Sequence, residues 1–330
     1  MLSMLSRPAR LIGAATLLCS AITAVQAQEY PTKPITIIIP SAAGGPSFES
    51  LRLITSKMTD IKQPFVLESK PGGAEIVAAV AAKAAAPDGY TLYQTTMGSM
   101  AINPALYKTL PYDPNKDFKP ITNVFSFPSI LTIPGDSPVK NLNDLVALSK
   151  SKQGGASYGS PSGGPYDDLI AHMLKSSAGL LTTVIAYKGA APTVPDVISG
   201  RLDLAMLPLI VIAQHLDSGR LRAIGVAASK RLEGRPDLPT FAELGHPGVL
   251  AEFWFGLSAP AGSPDNAARL IQGSLLKATN DPAVKTFMAQ RGLSLIPSAS
   301  PEDYGRFIAS EQARLEKAAR EIGSYKTLTN

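Results

Sequence analysis

The first third of the chain alternates short apolar runs with segments of helical composition. The run 34–40, "PITIIIP", is almost continuously apolar, as expected for a parallel strand covered on both faces. A helix is predicted over 46–59 and a strand over 64–69. An alanine-rich helix over 74–86 and a strand over 91–96 complete a β-α-β-α-β series, which predicts a parallel, doubly wound sheet.

A second α/β unit follows the first. Asn141 is predicted to cap a helix that carries Asp144 in its first turn. A strand over 156–160 precedes a loop and then a helix that ends near Ala178. The remaining predicted elements are strands over 182–187, 202–207, 221–228 and 253–260, and helices over 264–279, 281–291 and 301–322.

The stretch 121–133, "ITNVFSFPSILTI", is too long for a simple loop between the two units. We predict that it carries the chain from one domain to the other, and that "LRAIGVAA" carries it back, because more α/β structure follows. This gives a discontinuous first domain, residues 28–124 and 227–330, and an inserted second domain, residues 125–226.

The N-terminus has the pattern of an export signal. Arg7 and Arg10 precede an apolar segment over 11–24, and small residues then form a cleavage pattern. The apolar segment is too short and too weakly apolar for a membrane span. We therefore expect a signal peptide over residues 1–27, cleaved after Ala27, and an exported, periplasmic protein.

Charge and cysteine content narrow the function further. The chain has 31 Lys and Arg and 26 Asp and Glu, a formal charge of +5, and loss of Arg7 and Arg10 leaves 29 − 26 = +3. There is no basic block, which argues against nucleic-acid binding. The single cysteine, Cys19, lies in the signal, which excludes cysteine-based metal sites and nucleophiles from the mature chain.

The loop after the first strand is a candidate anion site. Gly44 and Gly45 allow the backbone to approach a ligand, and the following helix offers unpaired N–H groups with a partial positive charge. Open α/β sheets bind ligands at such strand ends. The loop is neither a nucleotide P-loop nor a G-x-G-x-x-G motif, so no nucleotide is implied. The alternative is a plain strand–helix turn.

A similar loop occurs in the second unit, "YGSPSGGPYDDL" over 158–169. Its candidate anion donors are Ser160, Ser162, Gly163 and Gly164. Two such loops, one in each domain, are predicted to face each other across a cleft. The ligand that suits them is a small carboxylate held by backbone N–H and hydroxyl groups.

A serine hydrolase and a metal site are the two alternatives to carboxylate binding. The segment "GASYG" matches the hydrolase motif G-x-S-x-G with Ser157 as nucleophile, but that motif needs a sharp strand-to-helix turn at the serine. His172, His215 and His246 all lie in ordinary contexts, so a secreted serine hydrolase is a distant alternative. The adjacent acids of "DD" at 167–168 point in different directions on a helix, and neither a metal nor another cofactor is predicted.

Six segments, in this order, carry a resemblance to a known family: "YPTKPITIIIPSAAGG", "PDGYTL", "GSMAINPALYKTLPYDPNKDFKPIT", "SYGSPSGG", "AYKGAAP" and "FWFGLSAPAGSP". They resemble the Bug family, periplasmic solute-binding proteins of tripartite tricarboxylate transporters. The resemblance implies a type II periplasmic-binding-protein fold, two α/β domains with a ligand cleft between them. It also implies a small carboxylate ligand, membrane permease subunits as partners, and no enzymatic activity.

The resemblance also implies where the ligand lies. Contacts are expected from the first loop, from the end of "TLYQTTMGS", from the second loop, and from "AYKG", where Tyr187 and Lys188 line the cleft or support its loop. The predicted ligand-binding residues are Ser41, Ala43, Gly44, Gly45, Ser47, Phe48, Thr96, Ser99, Ser160, Ser162, Gly163, Gly164 and Tyr187.

One departure from the family pattern bears on the ligand. Phe48 stands where the family commonly has an aspartate, and loss of that acid removes a partner for a ligand ammonium group. Phe48 adds an apolar surface instead. We therefore expect an aromatic or aliphatic mono- or dicarboxylate in preference to an amino acid. The alternative is that Phe48 packs into the helix interface.

The function predicted from the sequence is capture of this carboxylate by hinge closure and its delivery to a tripartite tricarboxylate-type transporter by a monomeric protein. An orphan periplasmic receptor that presents its ligand to a sensor protein uses the same closure. The sequence leaves that alternative open.

Overall fold

The computed structural model describes residues 30–161, 165–187 and 189–329, with strands and helices alternating along the chain. The predicted signal peptide and cleavage site lie outside this part of the chain. The strands are β1 Ile35–Ile39, β2 Phe65–Ser69, β3 Thr91–Thr96, β4 Phe118–Pro134, β5 Ala156–Ser160, β6 Thr182–Ala186, β7 Leu204–Pro208, β8 Leu221–Val226, β9 Glu252–Pro260 and β10 Ser294–Leu295.

The helices cover both faces of the sheet. They are α1 Pro46–Ser56, α2 Ile76–Lys83, α3 Asn103–Leu106, α4 Leu142–Ser151, α5 Pro165–Ala178, α6 Ala190–Ile198, α7 Leu209–Asp217, α8 Asp265–Ala278, α9 Pro282–Gln290 and α10 Pro301–Glu321. A π-helical turn, Gly98–Ile102, leads into α3. Among the described helices none is long and apolar enough to cross a membrane.

The strand order is β2-β1-β3-β9-β4-β7-β5-β6, and β8 and β10 also pair with β4. The predicted parallel arrangement is confirmed for β1, β2 and β3 and for β5, β6 and β7. In β1, Ile37 and Ile39 pack into one buried cluster and Ile38 into another on the opposite face. Burial on both faces explains why this run is apolar throughout.

The strand β4 connects two lobes. Its first part, Phe118–Pro128, pairs with β9, and its second part, from Ser129 onward, pairs with β7 and β8. The first lobe is the part of the protein built on β1, β2, β3, β9 and the start of β4. The second lobe is built on β5 to β8 and the end of β4. The predicted crossing at 121–133 is therefore one continuous strand.

Three segments meet at Ala251, which directly precedes β9. The N–H of Ala227 donates to the carbonyl of Ser129 at 2.8 Å, Ser129 donates to Ala251 at 3.0 Å, and Ala251 donates to Ala227 at 3.0 Å. The predicted return segment 221–228 is strand β8, which pairs with the second part of β4. Between β8 and β9, Phe241 and Val249 pack into the second lobe. The domain division drawn from the sequence stays a prediction.

Strand direction places the loops of both lobes at the crossing. Because β3 and β4 are each antiparallel to β9, they run in the same direction, and the carboxyl ends of β1, β2 and β3 point toward the second lobe. Because β7 is antiparallel to β4 and parallel to β5, the carboxyl ends of β5, β6 and β7 point toward the first lobe. The loops at these ends converge on the crossing strands.

Candidate functional site

The loop after β1 lies at the first-lobe edge, which is formed by the carboxyl ends of β1, β2 and β3. Gly44 has a φ of +77°, and a Cβ atom added there would meet nothing within 4 Å, so the left-handed backbone, and not crowding, calls for glycine. The N–H of Gly45 donates to the carbonyl of Ala42 at 3.2 Å, closing a turn. Ala43 and Gly44 are exposed. This turn sets the start of α1 directly behind an open loop.

The first turn of α1 has N–H groups that no side chain caps. Its N-cap is Gly45 and its first residue is Pro46, which has no N–H, so Ser47 and Phe48 supply the available donors. The hydroxyls of Ser41 and Ser47 lie 2.7 Å apart, which ties the loop to the helix. Ser47 is 6% exposed, so its backbone lies in a largely dehydrated position. These groups can bind an anion.

Phe48 is half-buried and packs against the apolar cluster beneath α1. Packing into the helix interface, the alternative role for this residue, therefore applies to part of the ring. The remaining exposed part lies one residue after Ser47, at the loop edge. The position is compatible with an apolar contact to a ligand, and that contact stays a prediction.

The end of β3 contributes a second polar group. Register places Ile38 beside Tyr93, so the residues after β1 and the end of β3 are neighbours. The N–H of Ser99 donates to Thr96 Oγ1 at 3.0 Å, and the two hydroxyls lie 3.2 Å apart. Both residues are fully buried. Thr96 and Ser99 thus form one compact hydrogen-bonded unit, and their contact with a ligand stays a prediction.

Glu75 is a residue at this edge that the sequence did not single out. It follows the carboxyl end of β2, and its carboxylate accepts a hydrogen bond from Thr96 Oγ1. Ala74 and Glu75 have φ values of +50° and +73°, so the helix predicted from residue 74 begins instead at Ile76. Burial raises the pKa of Glu75 to about 7. The signal that could have located it is the Gly-Gly pair after β2.

At the second-lobe edge, formed by the carboxyl ends of β5, β6 and β7, hydroxyl groups donate to a buried carboxylate of the protein. Ser160 Oγ donates to Asp167 Oδ2 at 2.6 Å, and the Tyr158 hydroxyl donates to Asp167 Oδ1 at 3.2 Å. Asp167 is 3% exposed. The proton of the Ser160 hydroxyl is therefore already donated within the protein. Ser162, Gly163 and Gly164 lie outside the described residues.

Tyr187 is at the neighbouring strand end. Its N–H donates to the carbonyl of Ser160 at 2.9 Å, which joins the loops after β5 and β6. Its hydroxyl donates to Asp196 Oδ2 at 2.6 Å, and this hydrogen bond raises the pKa of Tyr187. Of the two roles predicted for Tyr187, these contacts favour support of the loop. Lys188 lies outside the described residues.

The hydrolase alternative does not fit the surroundings of Ser157. The residue lies within β5, and its hydroxyl donates to Asp203 Oδ2 at 2.9 Å. Among the described hydrogen bonds none joins Ser157 to a histidine. His172 contacts Glu321 at 2.8 Å, and His246 contacts the carbonyl of Ser177 at 2.9 Å. Within the described residues no cluster of metal-ligating side chains occurs.

Two α/β lobes, joined by crossing strands and carrying loops that converge between them, define a two-lobed solute-binding protein. The chain belongs to the tripartite tricarboxylate transporter family receptors, whose family model matches residues 51–324. The resemblance to the Bug family and the predicted fold class are confirmed. The family and fold are those of solute-binding receptors and not of enzymes.

Individual relatives agree with this assignment. The chain is similar to Protein BugT of Bordetella pertussis, with 29% identity over 303 residues that cover 91% of this chain and 92% of that protein. R. palustris Rpa4515, solved with adipate, has a TM-score of 0.75 at 29% identity, covering 89% of this chain and 98% of that one. MatC from Rhodopseudomonas palustris, solved with bound malate, has a TM-score of 0.70 at 27% identity, covering 88% and 99%.

Proposed function

We propose that this protein captures a small carboxylate between its lobes and delivers it to a tripartite tricarboxylate-type membrane transporter. The observation that carries the proposal is the uncapped first turn of α1 at the edge where the loops of both lobes converge. Backbone N–H groups in a dehydrated position form strong, charge-assisted hydrogen bonds to a carboxylate. The adipate and malate in the two similar structures support this ligand class.

The preferred ligand is an aromatic or aliphatic mono- or dicarboxylate. Phe48 is partly exposed beside the α1 donors, and in this proposal its ring covers an apolar ligand surface. An amino-acid ligand instead needs an acceptor for its ammonium group. The residue that carries this preference is Phe48, and its contact with the ligand is part of the proposal.

Capture proceeds by hinge closure. The ligand binds the first-lobe loop, and closure brings the second-lobe loops onto it, so that the ligand shifts the population toward the closed form. The crossing at Ser129, Ala227 and Ala251 is the hinge in this proposal. Because the segment before β9 packs on the second lobe, we place the return boundary at Ala251 and not at residue 227.

Export and partners complete the proposal. The predicted signal over residues 1–27 sends the chain to the periplasm, where it meets the transporter's permease subunits as a monomer. A closed form distinguishes loaded from empty receptor for that permease, because closure is the change that the ligand stabilises.

Thermal unfolding of the mature chain with a carboxylate panel tests the proposal. The panel contains citrate, succinate, adipate, glutamate, nicotinate, benzoate and terephthalate, with nicotinamide and benzamide as uncharged controls. A ligand at about 100 times its dissociation constant adds roughly 2.7 kcal/mol of stability. We expect an aromatic or aliphatic acid to raise the midpoint, and glutamate and the amides to leave it unchanged.

Each other outcome removes a different part of the proposal. Stabilisation by glutamate alone would overturn the interpretation of Phe48 and keep the solute-binding function. Equal stabilisation by an acid and its amide would overturn recognition through the carboxylate. Failure of every panel acid to shift the midpoint would overturn the carboxylate ligand class.

A further inference from the structure

The carboxyl group of Glu75 is held at the candidate site by an unusual local backbone. Four consecutive residues, 72–75, have positive φ values, and the last two are Ala74 and Glu75. Such backbone is costly for residues other than glycine and is maintained where surrounding contacts require it. Glu75 is the N-cap of α2, yet its side chain makes no capping hydrogen bond. Its carboxylate instead contacts Thr96 at the end of β3.

The surroundings of this carboxyl group are polar and uncharged. A Cβ atom at Gly98 would come too close to Glu75 Oε2, so a side chain there would displace the carboxylate. Thr96 Oγ1 donates to it. The backbone N–H of Ser99, which donates to Thr96 Oγ1, opposes the rise in the pKa of Glu75. The titratable groups that face it from β3 and from the segment after α3 are the phenols of Tyr93 and Tyr112.

These phenols do not neutralise the carboxylate. Burial raises the pKa of both Tyr93 and Tyr112, so both stay uncharged near neutral pH. Within the described part of the chain no Lys or Arg contributes to the shift in the pKa of Glu75. Asn103 Nδ2 holds the loop by donating to the carbonyl of Ala74 at 2.8 Å. Among the described titratable groups that face one another here, only Glu75 therefore changes its charge near neutral pH.

We propose that Glu75 is a specificity-determining residue of the cleft, whose carboxylate takes up one proton from solvent when an anionic ligand binds beside Thr96. The inference rests on the proposed function, because it requires the ligand to be an anion at this edge. A ligand carboxylate and an ionised Glu75 repel each other in a site of low dielectric, whereas the protonated form can donate a hydrogen bond.

Coupling of this kind makes affinity depend on pH. The pKa of Glu75 near 7 in the empty protein means that most of the molecules must gain a proton at pH 8 and few at pH 6. Affinity for an anion is therefore expected to fall about tenfold between pH 6 and pH 8. Below pH 6 the affinity should level off, as far as the ligand itself stays ionised.

Isothermal titration calorimetry with adipate, benzoate and malate tests the proposal on the mature protein. Titrations at pH 8 in buffers of different ionisation enthalpy count the protons taken up on binding. We expect about one proton for the wild type and none for Glu75→Gln, whose affinity should vary less than twofold from pH 6 to pH 8. Glu68→Gln is the matched control, since Glu68 is an exposed acid on β2 that pairs with Lys70 at 2.6 Å. It should behave as the wild type.

A measurement on the unmodified protein keeps the test independent of folding of the variant. Titration of the Glu75 carboxyl by ¹³C NMR should show an apparent pKa that rises when adipate, benzoate or malate is bound.

The possible results separate the two proposals. Binding of an acid with no proton uptake and a Glu75 titration unchanged by ligand would overturn the role of Glu75 and keep carboxylate capture. Tighter binding at pH 8 than at pH 6, with release of a proton, would show Glu75 as the counter-ion of a cationic ligand group and overturn the inference. Failure of these three acids and of every other acid of the panel to bind the wild type would overturn both proposals.

Discussion

The first-lobe and second-lobe edges stand at corresponding strand ends, and they differ in which of their polar groups already have a partner within the protein. After β1, the first turn of α1 has backbone donors that no side chain caps. After β5 and β6, the hydroxyls of Ser160 and Tyr187 donate to Asp167 and Asp196, carboxylates that the chain itself supplies. The described hydroxyls of the second edge therefore already have acceptors within the protein, whereas the first turn of α1 keeps donors that can bind an external anion.

This difference suggests an order of events. In a two-lobed receptor the ligand first meets one lobe, and closure then adds contacts from the other. The first lobe has both the open donors and the buried Thr96–Ser99 unit. In the second lobe the hydroxyl protons of Ser160 and Tyr187 are already shared with Asp167 and Asp196, and the contact of these residues with a ligand stays a prediction. Four substitutions test this comparison, taken from the largest expected effect to the smallest.

Gly45→Asp should give the uncapped N–H groups at the start of α1 an acceptor within the protein. An aspartate at the N-cap accepts from the N–H groups of the first helical turn, the groups proposed to hold the ligand. Its negative charge also repels a carboxylate. We expect affinity for the acid identified in the panel to fall at least 100-fold, about 3 kcal/mol, measured by calorimetry. The unfolding midpoint should stay unchanged or rise slightly.

Gly45→Ala is the matched control for this change. It adds a Cβ at the same position, 3.2 Å from the carbonyl of Ala42, without adding an acceptor. A loss of affinity for Gly45→Ala as large as for Gly45→Asp would show that crowding, and not occupation of the donors, is responsible. Retained affinity in Gly45→Asp would remove the α1 donors from the site.

Asp167→Ala should show how much the buried acceptor of the second-edge hydroxyls stabilises the protein. It leaves the hydroxyls of Tyr158 and Ser160 without their buried acceptor, which costs about 2–3 kcal/mol of unfolding free energy. Urea-induced unfolding measures this loss. Asp168→Ala, at the exposed neighbouring position, should change stability by less than about 0.5 kcal/mol. Equal effects of the two substitutions would contradict a special role for Asp167.

Much of the fold was predictable because apolar patterning is local. Strands β1 and β3 and helix α1 follow from runs such as "PITIIIP", in which burial on both faces leaves a clear signal. The packing of the segment between β8 and β9 was harder to predict. The segment after β8 has no regular periodicity, so its packing on the second lobe through Phe241 and Val249 depends on tertiary contacts.

The candidate site also has a part that was predictable from the sequence and a part that was harder to predict. The loop with Gly44 was predictable because a strand, two glycines and a helix follow each other in sequence. Glu75 was harder to predict, because the Gly-Gly pair before it indicates a turn but not the left-handed backbone at Ala74 and Glu75. That backbone contradicts local preference and accompanies a contact with Thr96, 21 residues away. The bond between Ser160 and Asp167 was missed because an acid in the first turn of a helix ordinarily indicates only favourable charge placement.

Glu75→Gln should change how stability depends on pH. Because the pKa of Glu75 is raised in the folded protein from 4.5 to about 7, the folded state holds the proton more tightly. The stability that this proton adds to the folded state is fully present below pH 4.5 and is lost as the pH rises through 7. The wild type should lose on the order of 2 kcal/mol between pH 5 and pH 8 relative to Glu75→Gln. Parallel pH profiles from urea unfolding would contradict a buried, titrating Glu75.

Tyr187→Phe should have the smallest effect. It removes the hydrogen bond to Asp196, which also pairs with Arg201 at 2.8 Å near the surface, so the loss of stability should be below about 1 kcal/mol. If Tyr187 supports the loop, affinity should change less than twofold, and Asp196→Asn should behave alike. A tenfold loss of affinity in Tyr187→Phe alone would mean that the hydroxyl leaves Asp196 for the ligand on closure, and the second edge would then hold a donor that only the bound state uses.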